Sequence, residues 1–422
     1  MMGQEFYLNA MVIAFFIGYF LIVIEHITHI NKATVALLMA VVCWIFQFGS
    51  QAWTHEENIK FLGKHLSEIS QVIFFLIGAL AIVEIINAHN GFKMISDHLK
   101  INSKKTMFWA VGFITFFLSS VLDNLTTTIV MIAFLQKLIE KGEDRLIFGS
   151  GIVIAANAGG AWTPIGDVTT TMLWIGGQIT AFSIIREVFL PSLACLVVSF
   201  FFLSFALKGN FIFNENIEEE PELPFGRLIF FLGIGLLILV PVFKVITGLP
   251  PFMGILFALS VLWLTTDLLH RKCEERQNLR VPYVLSKIDL SAALFFLGIL
   301  LCIDALESAG ILHHLAIFLD QTVGSSKMIA VLIGLTSAIV DNVPLVAGAM
   351  GMYSLEVYPT DSTFWSLVAY TAGTGGSILI FGSAAGVVFM SLEKANFFWY
   401  LKRVSLPALL GFFAGVLVYL AW

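Results

Sequence analysis

Charge is what this chain has least of. Asp, Glu, Lys and Arg make up 12% of its residues, about half the share of a soluble domain. That scarcity excludes a water-soluble globule. With 58% hydrophobic residues and a mean hydropathy of +0.91, lipid is left as the solvent. Short alternating apolar segments are also missing, which excludes a transmembrane β-barrel; the runs are long and continuous, as membrane helices require. Cysteine is scarce. Cys43, Cys195, Cys273 and Cys302 lie scattered without metal-ligand spacing, so they read as small apolar fillers. No basic segment precedes the first apolar run, and residues 7–24 therefore read as a retained span instead of a cleaved signal. The net charge of −6 is modest, and nucleic acid is not an expected partner.

What is present is a series of apolar runs. Spans are predicted near 7–24, 33–48, 69–86, 146–175, 188–207, 227–246, 251–269, 289–308, 363–390 and 404–421. Two further apolar stretches, 106–139 and 328–355, are each interrupted by an Asp-Asn pair. Lys93, Lys100, Lys104 and Lys105 precede the first; Lys137, Lys141 and Arg145 follow it. Basic residues mark the cytoplasmic side, so both flanks lie there and the stretch is predicted to enter the membrane and return. The second has few basic flanks and reads as a hairpin entered from outside. This topology puts both termini outside and assigns 18 of the 23 basic residues to the cytoplasmic side. The expected fold is an all-α polytopic membrane protein with about ten spans, two re-entrant hairpins and two broken helices.

The interruptions repeat. Ser119-x-x-x-Asp123-Asn124 is echoed by Ser337-x-x-x-Asp341-Asn342, and Gly159-Gly160-Ala161 with Gly166-Asp167 by Gly375-Gly376-Ser377 with Gly382-Ser383. The offsets, 341 − 123 = 218 and 375 − 159 = 216, nearly agree. Residues 1–208 therefore read as one repeat, 209–226 as an acidic polar linker and 227–422 as a second copy. Five spans per copy is an odd number, so the second copy inserts upside down. Inverted repeats with broken helices meeting at the midplane mark secondary transporters.

A carboxylate at membrane depth is costly and reads as functional. Asp123, Asp167 and Asp341 are the candidate cation ligands. A buried carboxyl holds its proton more readily and a bound cation makes it release that proton, so Na+ and H+ can compete for one group. Glycines and Pro164 let the chain unwind, exposing carbonyls and hydroxyls of the kind hard cations prefer. The competing reading is that Asp before Thr or Pro caps a half-helix and binds nothing; it weighs most at Asp167. Glu84, Asp304 and Glu307 read as interfacial or structural groups as readily as parts of a proton path. His26 and His29 beside Glu25, with His89, His313 and His314, read as solvated interfacial residues, and the aromatics as lipid-facing or interfacial.

Together, Ser119-x-x-x-Asp123-Asn124-x-Thr126-Thr127, Asn157-Ala158-Gly159-Gly160, Pro164-Ile165-Gly166-Asp167-Val168-Thr169-Thr170 and Ser337-x-x-x-Asp341-Asn342-x-Pro344 resemble NhaD-type sodium/proton antiporters over nearly the whole chain. The resemblance implies export of Na+, and of Li+ as a further cation, in exchange for H+ across a bacterial cytoplasmic membrane. It implies no cofactor, no enzymatic activity and a homodimer whose transport part moves like an elevator. It places functional polar groups at Ser119, Asp123, Asn124, Asn157, Asp167, Thr169, Thr170, Ser337, Asp341, Asn342 and Ser377. Two other readings compete. Anion carriers of the same superfamily (dicarboxylate, sulfate or arsenite) are disfavoured by carboxylates at both tips. An intramembrane aspartyl protease built on Gly166-Asp167 leaves the duplicated Asp-Asn without explanation.

Overall fold

The computed structural model describes residues 2–28, 30–93, 101–211, 223–271 and 279–421. His29, Cys273, the His26 side chain and most of the acidic linker fall outside that description. Among the described residues the regular secondary structure is all helical, with one isolated bridge between Ser103 and Asn210.

The first half runs α1 (Met2–Val23), α2 (Lys32–Gly49), α3 (His55–Ala88), α4 (Lys104–Leu122), α5 (Asn124–Leu138), α6 (Glu143–Gly160), α7 (Val168–Ile175) and α8 (Ala181–Ser204). The second runs α9 (Gly226–Thr247), α10 (Pro251–His270), α11 (Leu290–Ser308), α12 (Ile311–Val323), α13 (Ser326–Thr336), α14 (Asn342–Met352), α15 (Thr363–Gly375), α16 (Ala384–Glu393), α17 (Phe397–Arg403) and α18 (Ser405–Ala421). Among the described residues eight helices, α1–α4 and α8–α11, are long and apolar enough to cross a bilayer. Counting the bent pairs α12/α13 (113°) and α17/α18 (53°) as single spans gives ten. The two segments expected as broken helices, 146–175 and 363–390, are broken as predicted, into α6/α7 and α15/α16. The ten therefore differ in membership from the ten expected: α4 and the bent pair α12/α13 are long and apolar enough to count in their place.

The two Asp-Asn interruptions are real breaks. Helices α4 and α5 meet at Asp123, which takes φ +79° and ψ 159°, a region that non-glycine residues enter at a cost of about 1–3 kcal/mol. The chain then turns back. Lys104 Nζ at the start of α4 lies 2.6 Å from Asp144 Oδ2, and the neighbouring Arg145 Nη1 donates to Ile139 O at the end of α5 (3.2 Å). Both ends of 106–139 therefore meet the start of α6, which is a hairpin. In the second half, Tyr353 Oη after α14 donates to Asp320 Oδ1 near the end of α12 (3.1 Å), which holds the end of α14 near the α12–α13 turn where the second hairpin begins.

Three features depart from expectation. Helix α3 begins at His55, 69 − 55 = 14 residues before the expected span. A capping box starts it: Thr54 accepts from Glu57 N–H while the Glu57 carboxylate accepts from Thr54 N–H (2.8 Å). Its 34 residues reach about 51 Å, some 20 Å more than the hydrocarbon core. His89 is fully buried instead of solvated, its Nε2 3.0 Å from His270 Nε2. Many aromatics are internal: Phe108 stacks on Phe200 (4.3 Å) and Phe116 on Trp162 (5.9 Å), while Phe16, Phe20, Val245 and Ile246 face outward as lipid contacts. Cys43 and Cys302, distant in sequence, are buried neighbours with sulfurs 3.4 Å apart, consistent with their reading as apolar fillers.

Candidate functional site

Each hairpin tip is fastened to one broken helix. Ser119 Oγ donates to Ala156 O in α6 (2.6 Å), and Ser337 Oγ donates to Ala372 O in α15 (2.8 Å). Close backbone approach accompanies each bond. A Cβ on Gly159 would strike the backbone of Phe116, and one on Gly375 the backbone of Gly334. Only glycine permits that contact, which is the physical reason for the glycine pairs at these points.

The break between α6 and α7 presents Asp167. Its Oδ1 accepts from Thr169 N–H (3.1 Å), capping α7. Its Oδ2 accepts two side-chain amides, one from each hairpin: Asn124 Nδ2 (3.0 Å) and Asn342 Nδ2 (3.0 Å). Asn124 Nδ2 also reaches Asn157 Oδ1 (3.1 Å), and Asn157 Nδ2 donates to Ser377 Oγ (2.9 Å) and Ser383 Oγ (2.8 Å). One buried polar network thus joins four interruptions, with Asp167 1% exposed and Asn157 fully enclosed. Amide donors on an ionised oxygen are among the stronger hydrogen bonds. Two such donors offset part of the cost of placing a carboxylate in a low-dielectric site.

The other candidates lie at the rim of this network. The Asp123 carboxylate turns onto its own helix, accepting from Thr126 N–H (2.8 Å) and Thr126 Oγ1 (2.8 Å). Asp341 occupies the N-cap position of α14 yet accepts no capping bond; its Oδ2 stands 4.0 Å from Lys32 Nζ. Thr170 Oγ1 donates to the Asp167 carbonyl (2.9 Å). The buried hydroxyls of Thr169 and Thr127 have no hydrogen-bond partner among the described residues. An oxygen left without a partner in a low-dielectric site is a natural ligand for a hard cation.

Asp123, Asn124, Asp167, Asp341 and Asn342 line a cavity of about 60 Å³ with Thr171; Phe75, Leu76, Leu237, Val240 and Ile255 form part of its apolar wall. That volume holds a few waters or a partly hydrated ion. Its lining carries three carboxylates and, among the described residues, no lysine or arginine. A wider recess of about 670 Å³, lined by Tyr19, Glu25, Asn31, Lys32, Asp341 and Ser383, lies next to it; Asp341 and Ala384 line both.

The geometry reorders the acids. Asp167 is the junction, while Asp123 caps and Asp341 faces the recess. Sequence reasoning left out Ser383 and Lys32. Ser383 was open to discovery, since it stands 383 − 167 = 216 residues after Asp167, the repeat offset, and caps α16 as Asp167 caps α7. Nothing in the sequence marks Lys32.

Comparison with known proteins agrees with this architecture. The family profile CitMHS, described as "Citrate transporter", matches residues 19–368. The chain is 51% identical to "Sodium/proton antiporter 2" of Arabidopsis thaliana, over 97% of this chain and 99% of that protein. It is 50% identical to "Sodium/proton antiporter 1" of the same plant, over 98% and 72%. It is 30% identical to "Na(+)/H(+) antiporter NhaD" of Vibrio parahaemolyticus, over 90% and 97%.

Proposed function

Because the chain belongs to the CitMHS family, and within it to the NhaD-type sodium/proton antiporters, we propose that it exchanges cytoplasmic Na+ for external H+ at the Asp167 centre. It is a multi-pass membrane transporter and not an enzyme. The observation that carries the proposal is Asp167 Oδ2 held by Asn124 and Asn342, one amide from each hairpin. Na+ takes the carboxylate together with the oxygens of Asn124, Asn157, Asn342 and Thr169. For Asn124 and Asn342 this means turning Oδ1 inward in place of Nδ2; Asn157 already turns Oδ1 toward Asn124. Protonation from the outer side neutralises the same carboxylate and releases the ion. Ser119, Ser337, Ser377 and Thr170 hold the frame; Asp123 and Asp341 add negative field along the path. Li+, another hard monovalent cation, is taken on the same oxygens.

Two inverted repeats, 1–208 and 227–422, account for the paired Ser–carbonyl and Gly–backbone contacts at offsets of 216–218. We place both termini outside, on the distribution of basic residues, in an energised membrane; the relatives come from plants and bacteria alike, so a bacterial membrane is not a requirement. The assembly is a homodimer whose hairpins and broken helices move as one body.

A citrate carrier is the second reading, favoured by the description of the family profile. A tricarboxylate next to three carboxylates and no lining cation is electrostatically opposed. Vesicles holding a preformed pH gradient separate the two. Na+ is expected to collapse the gradient and citrate to leave it unchanged. Citrate uptake without a Na+ response would overturn the proposal.

A further inference from the structure

A second group of polar side chains lies away from the Asp167 network, where α3 meets α11. His65 Nδ1 is 3.5 Å from Asp304 Oδ1, beyond hydrogen-bond range. One ligand atom from each of His65, Asp304 and Glu307 can be chosen so that all lie within 4.8 Å of one another. Asp304 and Glu307 are three residues apart on α11 and share a face. His65 is only 7% exposed. The far side of its ring, Nε2, is 3.3 Å from Ser308 Oγ, an outer contact that fixes a metal-binding imidazole with Nδ1 turned inward. Asp304 Oδ2 is buried with no hydrogen-bond partner among the described residues. An unpaired carboxylate oxygen beside an imidazole lacking a proper acceptor calls for a shared positive charge. Lys64 does not supply it; its Nζ points to Glu68 (3.9 Å) on the exposed side.

The spacing fits a metal ion. Two ligands at about 2.0–2.1 Å from a tetrahedral centre stand roughly 3.4 Å apart, and the His65–Asp304 pair is already at 3.5 Å. Glu307, exposed at the rim, closes the set by a side-chain rotation. One imidazole and two carboxylates suit Zn2+, Mn2+ or Co2+; Mg2+ and Ca2+ favour all-oxygen sites. Helix α3 is longer than the hydrocarbon core, and the mostly polar first part that carries His65 accounts for the excess; Glu307 is the exposed member of the group.

We infer that His65, Asp304 and Glu307 form a binding site for a first-row divalent metal ion, separate from the transported cation. The site ties α3 to α11. It also lies against the second hairpin: a Cβ on Gly351 of α14 would come within 2.9 Å of Glu307 Oε2, so a bound metal would set the position of the helix that begins at Asn342.

Co2+ tests this without reference to transport. Purified full-length protein in detergent is titrated with Co2+ while its visible absorption bands are recorded. The expected result is saturation at one Co2+ per chain, displacement by one equivalent of Zn2+, and binding at least ten-fold weaker in His65→Gln and Asp304→Asn. Glu307→Gln, at an exposed position where misfolding is not a concern, is expected to weaken binding as well. Absence of saturable bands in the wild type, or unchanged affinity in Glu307→Gln together with either buried variant, overturns the inference.

Discussion

Replacing Asp167 with asparagine separates the two roles of this side chain. The amide can keep its oxygen toward Asn124 and Asn342, but its nitrogen then faces Thr169 N–H, now 3.1 Å from Oδ1, and the cap on α7 is lost. A lost N-cap costs about 1 kcal/mol, and weakening two charge-assisted bonds to neutral ones costs about 1 kcal/mol each. The structural cost is therefore about 3 kcal/mol, which the protein is expected to survive with reduced thermal stability. The functional loss is of a different kind. A unit charge about 4 Å away at an effective dielectric of 20 contributes on the order of 4 kcal/mol, or roughly a thousand-fold in cation affinity. Half-saturating Na+ should thus rise by about three orders of magnitude in Asp167→Asn. The assay is Na+-driven collapse of a pH gradient in everted vesicles, with the variant's abundance and gel-filtration profile as controls. A half-saturating Na+ concentration within three-fold of wild type, in normally folded protein, would refute the reasoning.

Further outcomes follow from the same geometry. Asn124→Ala and Asn342→Ala each remove one charge-assisted bond from Asp167 Oδ2, worth about 1.5–3 kcal/mol. Each should slow exchange about ten-fold or more, and a silent Asn342→Ala beside an inactive Asn124→Ala would show that the oxygen is not shared. At Asp123, relief of strain at φ +79° opposes the small loss of a cap replaced by glycine. Asp123→Gly should therefore melt no lower than wild type in detergent while losing exchange; a clear drop in melting temperature would mean the capping bonds outweigh the strain. Gly159→Ala and Gly375→Ala drive a methyl into hairpin backbone, and overpacking of this kind costs about 1–3 kcal/mol. Both should lower the melting temperature and loosen protection of the hairpins in hydrogen exchange.

Much of this was legible in the sequence because lipid imposes few choices. Apolar runs of fixed length read directly as spans, and an Asp-Asn pair within one reads as a break. Helix α3 is longer than hydropathy indicates because its first fourteen residues are mostly polar, so hydropathy alone starts the span at residue 69; the Thr54–Glu57 capping box is the available signal. Helix α12 was missed for a similar reason. It buries only Leu312 and Ala316, leaving too narrow an apolar face to register as a span. At the site, polar residues at the four breaks point to Asp167, and the resemblance to NhaD-type antiporters adds Asn124, Asn157, Asn342 and Ser377, all of which lie in one network. Neither could rank the acids, because side-chain direction depends on the backbone at each break. Asp123 and Asp341 share a motif, yet one caps its helix with Thr126 and the other accepts no cap and faces Lys32.

The bond from Asn342 to Asp167 spans 175 residues of sequence. Asn157 lies 220 and 226 residues before its partners Ser377 and Ser383. At a synthesis rate of roughly 5–20 residues per second, Asp167 and Asn157 are therefore made about 9–45 s before their partners in the second half. During that interval the nascent first half holds a carboxylate and two amides in the bilayer with their bonding incomplete, a state that lipid penalises. Biogenesis must therefore shelter an unfinished polar centre, at the insertion machinery or in trapped water, until the second hairpin arrives. Chains terminated before Asn342 should be preferred substrates for membrane quality control.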